Sequence, residues 1–164
     1  MTKISYDTVK PSDIDAIMAI EEADFSPEES LSRTAILEEI QLIPDSFIVA
    51  RNETSQVVGY ISGPTSKERY LVDEMFEHNQ ASRKDDAYQI VTSLAIHPDY
   101  QGLGIATELM ERLAETAKAS GRQAISLTCH DYLIPYYEKH GFVNEGLSES
   151  KFAGEVWYNL VREL

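Results

Sequence analysis

The chain has few basic residues and a single cysteine. Its 164 residues include 14 Lys and Arg against 28 Asp and Glu, which gives a formal net charge of −14. A surface this acidic argues against nucleic acids and anionic membranes as partners. The lone cysteine, Cys129, excludes an internal disulfide framework and a zinc site built from several cysteines. A negatively charged surface of this kind attracts a cationic small molecule as a partner.

Long apolar segments are also missing. No run approaches the roughly 20 residues of a transmembrane helix, and the first residues, 1–7, lack the apolar stretch of a secretory signal. We therefore expect a cytoplasmic protein. At roughly 150 residues per domain, the length and the 43% apolar content predict one domain over 1–164 with a core of its own.

Strand-like and helix-like segments alternate along the chain, which is typical of an α/β or α+β protein. Strands are predicted over 3–9, 46–51, 56–62, 87–97, 124–129, 142–147 and 155–164. Helices are predicted from Pro11 onward, over 32–43, after the turn at 101–106, and over 133–140. The second has Ile36, Leu37 and Ile40 inward, and the third ends at a cap formed by Gly121. The charged segment 65–86, with a short helix near 72–76, suits either a lid or a solvated connection.

The turn before the longest helix carries a chemical signal. Residues 101–106 read Gln-Gly-Leu-Gly-Ile-Ala. Glycines at a strand-to-helix turn let the backbone approach a ligand closely, and the free amides of the first helical turn favour a phosphate or a pyrophosphate. The segment lacks the third glycine of a dinucleotide fingerprint and the Gly-Lys-Ser/Thr of a nucleoside triphosphate loop. Alone, this pattern predicts only an anion site.

Longer motifs resemble one family. The stretch 93–100, Ser-Leu-Ala-Ile-His-Pro-Asp-Tyr, followed by Gln-x-x-Gly-x-Ala, resembles the acetyl-CoA signature of the GNAT superfamily of N-acetyltransferases. Residues 136–142 resemble that superfamily's Tyr-x-x-x-Gly-Phe element, and 127–137 and 20–25 are similar to its arylalkylamine (serotonin) N-acetyltransferase branch. The resemblance implies a GNAT-type sandwich. Its central sheet is mixed, mostly antiparallel and splayed open after the strand that ends near His97, with helices on both faces.

The resemblance also implies a donor and the residues that hold it. Acetyl-CoA would bind as cosubstrate, with its acetyl group and pantetheine arm along the backbone of the strand and its pyrophosphate on the turn. Because no Lys or Arg lies between Ile96 and Met110, backbone N–H groups and helix polarity must hold the anion. The implied cofactor-binding residues are Leu94, Ala95, Ile96, Gln101, Gly102, Leu103, Gly104, Ile105, Ala106 and Thr107.

Acyl transfer to an amine needs a neutral amine, donors for the developing oxyanion and an acid for the departing thiolate. By the resemblance, the amide of Leu94 is the oxyanion donor and Tyr137 is the acid. Phe25 matches an aromatic residue that lines the family's amine pocket, and Glu21 is the second predicted substrate contact. The structural alternatives are a tyrosine packed on a short helix and a core phenylalanine.

The base that deprotonates the amine is where the resemblance fails. Animal arylalkylamine enzymes carry two histidines on the strand before the signature, and Ile90 and Thr92 occupy those positions here. Glu21, Glu22 and Asp24 are possible acceptors through water, although carboxylates on a surface-facing helix are the simpler interpretation. No metal is expected, because the four histidines lack metal-ligand spacing. They are His78, His97, His130 and His140.

The sequence thus predicts an N-acetyltransferase that moves an acetyl group to a primary amine by direct attack in a ternary complex. A small cationic or aryl amine is the expected acceptor, and a monomer or homodimer is the expected assembly. Three alternatives stay open: an enzyme that acetylates protein N-termini or lysines, a non-catalytic acyl-CoA-binding module, and a phosphate-binding protein unrelated to acyl transfer.

Overall fold

Two sheets that share one interrupted strand organise the fold. The computed structural model describes residues 3–76 and 80–164. Over these residues the strands are β1 (Ser5–Thr8), β2 (Phe47–Arg51), β3 (Val57–Ser62), β4 (Thr65–Ser66), β5 (Tyr88–Ile90), β6 (Ser93–Ile96), β7 (Ala124–Cys129), β8 (Val143–Leu147) and β9 (Tyr158–Glu163). The helices are α1 (Ile14–Asp24), α2 (Arg33–Leu42), α3 (Ile105–Ala119) and α4 (Ile134–Glu138). The sheet orders are β1-β2-β3-β6 and β4-β5-β7-β9-β8.

The segment predicted as one strand over 87–97 changes partners at its middle. Its first half, β5, pairs in parallel with β7, whereas its second half, β6, pairs antiparallel with β3. The amide of Val91 donates to the carbonyl of Ser126 at 3.0 Å, and the next amide, Thr92, donates to Ser62 at 2.9 Å. The sheets therefore part at this point, inside the predicted strand and before its end. The predicted splayed, mixed and mostly antiparallel arrangement is confirmed.

The break in the strand is held by a close backbone approach and by two buried polar side chains. A Cβ atom on Gly63 would lie 1.9 Å from the carbonyl oxygen of Ile90. The Ser46 hydroxyl donates to the Gly63 carbonyl at 2.7 Å, and the Gln89 amide donates to the same oxygen at 2.9 Å. These two donors satisfy the Gly63 carbonyl, which accepts no backbone hydrogen bond from the described strands. Specific contacts therefore stabilise the break.

Helices cover both faces of the β1-β2-β3-β6 sheet, as predicted. Alternate residues of β2 point to opposite faces, so Phe47 and Val49 join the core beneath α1 and α2, while Ile48 and Ala50 join the core beneath α3. Helices α1 and α3 each present an apolar stripe to the sheet. Ile17 and Ile20 of α1 and Leu109, Met110 and Leu113 of α3 are buried.

Two local predictions differ from the structure. Leu37 is 41% exposed, because the inward face of α2 is taken by Ile36, Glu39 and Ile40. The helix predicted over 133–140 ends at Glu138. The short helix predicted near 72–76 is present as a 3₁₀ helix at Asp73–Phe76. The strands predicted over 142–147 and 155–164 are present as β8 and β9 and pair antiparallel, with β9 between β7 and β8.

Part of the candidate lid, residues 77–79 with His78, lies outside the described residues. No helix in the described ranges has the length and apolar character needed to cross a membrane.

Candidate active site

Two cavities meet where β6 and β7 diverge. The larger, about 860 Å³, opens toward the start of α3, and the smaller, about 320 Å³, lies between the end of α1 and the end of β7. Both volumes fall in the usual range for small-molecule pockets. The two cavities share five lining residues, which form the wall between them: Asp24, Phe25, Leu94, Leu133 and Tyr137.

The outer edge of β6 supplies backbone donors to this wall. The amide of His97 donates to the carbonyl of Val58 in β3 at 2.7 Å. Because amides alternate in direction along an antiparallel strand, those of Leu94 and Ile96 point away from β3 and into the opening. The amide of Ile96 accordingly donates to Asp24 Oδ2 at 3.0 Å. The Leu94 amide thus faces the junction of the two cavities.

The turn before α3 presents a second set of donors. Gly102 and Gly104 have φ values of 78° and 80°, a region that L side chains rarely adopt. The first helical bond of α3 runs from the amide of Glu108 to the carbonyl of Gly104 at 3.1 Å. The amides of 105–107 therefore lack intrahelical acceptors, and none of the described residues that line the larger cavity is Lys or Arg. The cavity suits an anion held by backbone groups.

Nine of the ten residues predicted to bind the cofactor line the larger cavity, and the exception is Leu103, whose side chain is 55% exposed. The nine are Leu94, Ala95, Ile96, Gln101, Gly102, Gly104, Ile105, Ala106 and Thr107. These residues come from one strand, one turn and one helix start that are contiguous in the chain, so the fold brings them together through local geometry.

Tyr137 lies on α4 and lines both cavities. Its ring packs edge-on against Phe142, with centroids 5.6 Å apart, and against Tyr136 at 5.2 Å. Burial raises the pKa of its hydroxyl above the ordinary value of about 10, so the group is protonated at neutral pH. This hydroxyl makes no hydrogen bond within residues 3–76 and 80–164. It is therefore available as a proton donor at the wall between the cavities.

The carboxylate of Glu21 is buried, which corrects the interpretation of α1 as surface-facing at this position. Only 1% of the residue is exposed. Its Oε1 accepts from the amide of Leu31 at 2.8 Å, and its Oε2 accepts from the hydroxyls of Ser93, at 3.3 Å, and Tyr60. Burial raises its pKa. Glu21 follows Ile17 by four residues, so it occupies the apolar stripe of the helix.

The remaining carboxylates near the opening differ in their surroundings. Glu22 is exposed, as expected, whereas Asp24 is half-buried and burial raises its pKa. Glu39 of α2 is buried beside the break, where the Thr92 hydroxyl donates to it at 3.4 Å. Burial raises the pKa of Glu39 to about 8. Thr92 therefore contacts a carboxyl group at the place where a histidine stands in the animal enzymes.

Aromatic rings line much of the smaller cavity. Phe76 stacks on Phe152 with centroids 4.1 Å apart, and His130 stacks on Trp157 at 4.3 Å. Phe25 lines both cavities and also packs against the core beneath α1, and its contact with an amine stays a prediction. None of the described residues that line this cavity is Lys or Arg. The smaller cavity therefore combines aromatic and acidic groups.

Sequence reasoning missed most of these walls. Glu29, Phe76 and His130 lie in three different connections, Phe152 and Trp157 lie together between β8 and β9, and nothing in the sequence pattern joins these segments. One signal was present for His130, which directly follows β7. A polar residue at the carboxyl end of a central strand commonly faces a ligand site in α/β proteins.

Cys129 and the described histidines do not form a metal or nucleophile centre. Cys129 is buried, and burial raises the pKa of its thiol to about 12, so it behaves as a small apolar core residue. In the part of the chain that the structure describes, no group of three or more His, Cys, Asp and Glu could hold a metal ion.

Solved structures share this architecture. Ard1 from Thermoplasma volcanium superimposes with a TM-score of 0.75 at 20% identity, covering 98% of this chain and 97% of that one. PaiA N-acetyltransferase from Thermoplasma acidophilum, in complex with coenzyme A, gives a TM-score of 0.71 at 15% identity and covers 99% of both chains. At these identities the likeness shows the fold alone.

Sequence relatives extend the comparison. An uncharacterized N-acetyltransferase, ycf52 of Porphyra purpurea, is 24% identical over 117 residues, which cover 62% of this chain and 66% of that protein, slightly less than two thirds of its length. Residues 14–142 match the acetyltransferase (GNAT) family. The match confirms the predicted superfamily. The chain belongs to the acetyltransferase (GNAT) family.

Proposed function

We propose that this protein transfers an acetyl group from acetyl-CoA to the primary amino group of a small cationic or aryl amine. The amine attacks the thioester directly, while both substrates are bound. One observation carries the proposal: the backbone-lined cavity and the aromatic, acidic cavity meet at a wall that contains the Leu94 amide and the Tyr137 hydroxyl. Donor and acceptor can therefore meet beside both groups.

The residues of the larger cavity fit acetyl-CoA, which supplies the acetyl group as a thioester. The amides of 105–107 and the positive end of the α3 dipole bind the pyrophosphate without a cationic side chain. The outward edge of β6 lies beside the amide-rich pantetheine arm in the manner of an added strand, and because the amide of Ile96 donates to Asp24, Leu94 carries the free outward amide. Leu94 N–H stabilises the carbonyl oxygen that gains negative charge during the transfer.

The smaller cavity supports a small amine as the acceptor. A cation is attracted by the faces of aromatic rings such as Trp157 and by carboxylates such as Glu29. A volume of about 320 Å³ suits a compact molecule. Phe25 and Glu21 form part of its lining. The resemblance to the arylalkylamine branch supports an aryl group on that amine.

The glycine turn provides a matched test of the donor site. Gly104→Ala should weaken the binding of coenzyme A by about tenfold, because an alanine favours relaxation of the turn away from this φ and restoring the binding conformation costs about 1–2 kcal/mol. Gly121→Ala is the control, since Gly121 has a φ of 81° at the opposite end of α3 and equal open space around it. Titration calorimetry measures both affinities. Equal losses of affinity in the two variants would refute the proposal that the turn before α3 binds the pyrophosphate.

A thiol-release assay tests the acceptor class. Acetyl-CoA is offered with 2-phenylethylamine, spermidine and a set of peptides, and release of the free thiol is expected with one of the small amines. Release with peptides alone would make the protein a protein acetyltransferase. Binding of acetyl-CoA without release would make it an acyl-CoA-binding module. No heat with coenzyme A or acetyl-CoA at low ionic strength would overturn the enzymatic proposal, and protection by an unrelated nucleotide would favour a phosphate-binding protein.

A further inference from the structure

His130 is the described histidine whose surroundings point to chemistry. His97 and His140 use Nδ1 in local hydrogen bonds to the backbone, at 3.0 and 2.8 Å. In His130, Nε2 lies 2.8 Å from Oε1 of Glu29. Its Nδ1 bonds to no atom of residues 3–76 or 80–164, and His130 lines the smaller cavity.

The hydrogen bond to Glu29 decides which nitrogen of His130 carries the proton. A carboxylate only accepts, so Nε2 is the protonated nitrogen and Nδ1 of the neutral ring keeps its lone pair. The ring is held in place between Trp157, with centroids 4.3 Å apart, and Tyr132 at 5.4 Å. The side chains of His130 and Glu29 are 18% and 22% exposed. This arrangement presents one oriented proton acceptor.

We propose that His130 is the base that takes the proton from the acceptor amine, and that Glu29 is the positioning residue that orients its ring. This inference rests on the proposed function. Leu94, Tyr137 and His130 line the same cavity of about 320 Å³, so an oxyanion donor, an acid and a base surround one small volume. His130 comes from the end of β7 and thus replaces, from another strand, the histidines that are missing at 90 and 92.

Other titratable groups around His130 are less able to accept this proton. Both oxygens of Glu21 already accept hydrogen bonds, and Asp24 accepts from the amide of Ile96. Burial raises the pKa of Cys129 to about 12 and also raises that of Tyr137, so both are protonated at neutral pH. Next to His130 in the chain, Asp131 and Tyr132 are exposed.

The transfer step balances with these groups. The ammonium group loses one proton to Nδ1 of His130, and the freed lone pair forms the new bond to the acetyl carbon. The carbon–sulfur bond breaks, and the thiolate takes the proton of the Tyr137 hydroxyl. Tyr137 recovers a proton from the nitrogen that becomes the amide, and His130 releases its proton to water. The carboxylate of Glu29 stabilises the transient imidazolium.

His130→Gln tests the assignment. At pH 7 we expect kcat/KM for 2-phenylethylamine or spermidine, whichever the parent acetylates faster, to fall by about 10² to 10⁴, with unchanged calorimetric affinity for coenzyme A. The deficit should shrink as the pH rises toward 10, because alkyl amines have pKa values of about 10 and are then neutral without a base. A residue with a merely structural role would show the same deficit at every pH.

The neighbouring carboxylates supply a matched pair. Glu29→Gln should lower kcat/KM by about 10- to 100-fold, as for other partners that orient a reactive histidine, whereas the exposed Glu28→Gln should match the parent. Parent-like rates in His130→Gln, or a deficit that does not change with pH, would overturn this inference alone. A parent that binds coenzyme A but releases no thiol with any amine would overturn the proposed function and this inference with it.

Discussion

Tyr137→Phe is expected to lower kcat by about 10² to 10⁴ while the affinity for coenzyme A stays at its parental value. The hydroxyl is protonated at neutral pH because burial raises its pKa, and it stands at the wall shared by the two cavities. In the proposed reaction it donates only when the thiolate leaves, so its loss raises the barrier to the chemical step and leaves ground-state binding unchanged. The loss should therefore be in kcat and not in KM.

The matched control for this change is Tyr158→Phe. It removes the same atom from a tyrosine of β9 that lines neither cavity. We expect its kcat to equal that of the parent. Steady-state thiol release between pH 6 and pH 10 measures both variants. If Tyr137→Phe kept the parental kcat over that range, Tyr137 would not be the acid.

Gly63→Ala should lower the free energy of unfolding by about 3 kcal/mol, a loss of roughly 10 °C in Tm for a chain of this size. The added Cβ would lie 1.9 Å from the carbonyl oxygen of Ile90 and 2.9 Å from Cα of Val91. These are backbone atoms and cannot rotate aside, so β3 must move away from the break. Because that movement displaces β6, activity should fall as well.

Gly59→Ala is the comparison within β3, the strand that ends one residue before Gly63. Its new Cβ would come within 2.9 Å of Cδ1 of Ile96, which is the far end of a flexible side chain, and we expect a loss of only about 1 kcal/mol. Thermal unfolding followed by circular dichroism measures both variants. A Gly63→Ala protein that unfolds at the parental temperature would contradict the close approach seen at the break.

Contiguous features were predictable because their physics is local. The turn over 101–106 sets its own backbone conformation through Gly102 and Gly104, whose φ values no other residue type adopts readily. The free amides that follow are a property of any helix start. The element types of β2, β3, β7 and α3 follow in the same way from hydrophobic periodicity. The position of Leu37 was not predictable, because the face of α2 that packs inward depends on its neighbours.

The sequence by itself determined the glycine turn before α3, the alternation of strands and helices, and the family, since each is encoded in residues close together in the chain. Only the tertiary structure determined which residues meet around the smaller cavity. Glu29 and His130 are 101 residues apart in sequence, and Asp24 and Ile96 are 72 apart. No periodicity connects such pairs. They meet because β6 and β7 part beside the end of α1, and that divergence is set by packing across the whole sheet.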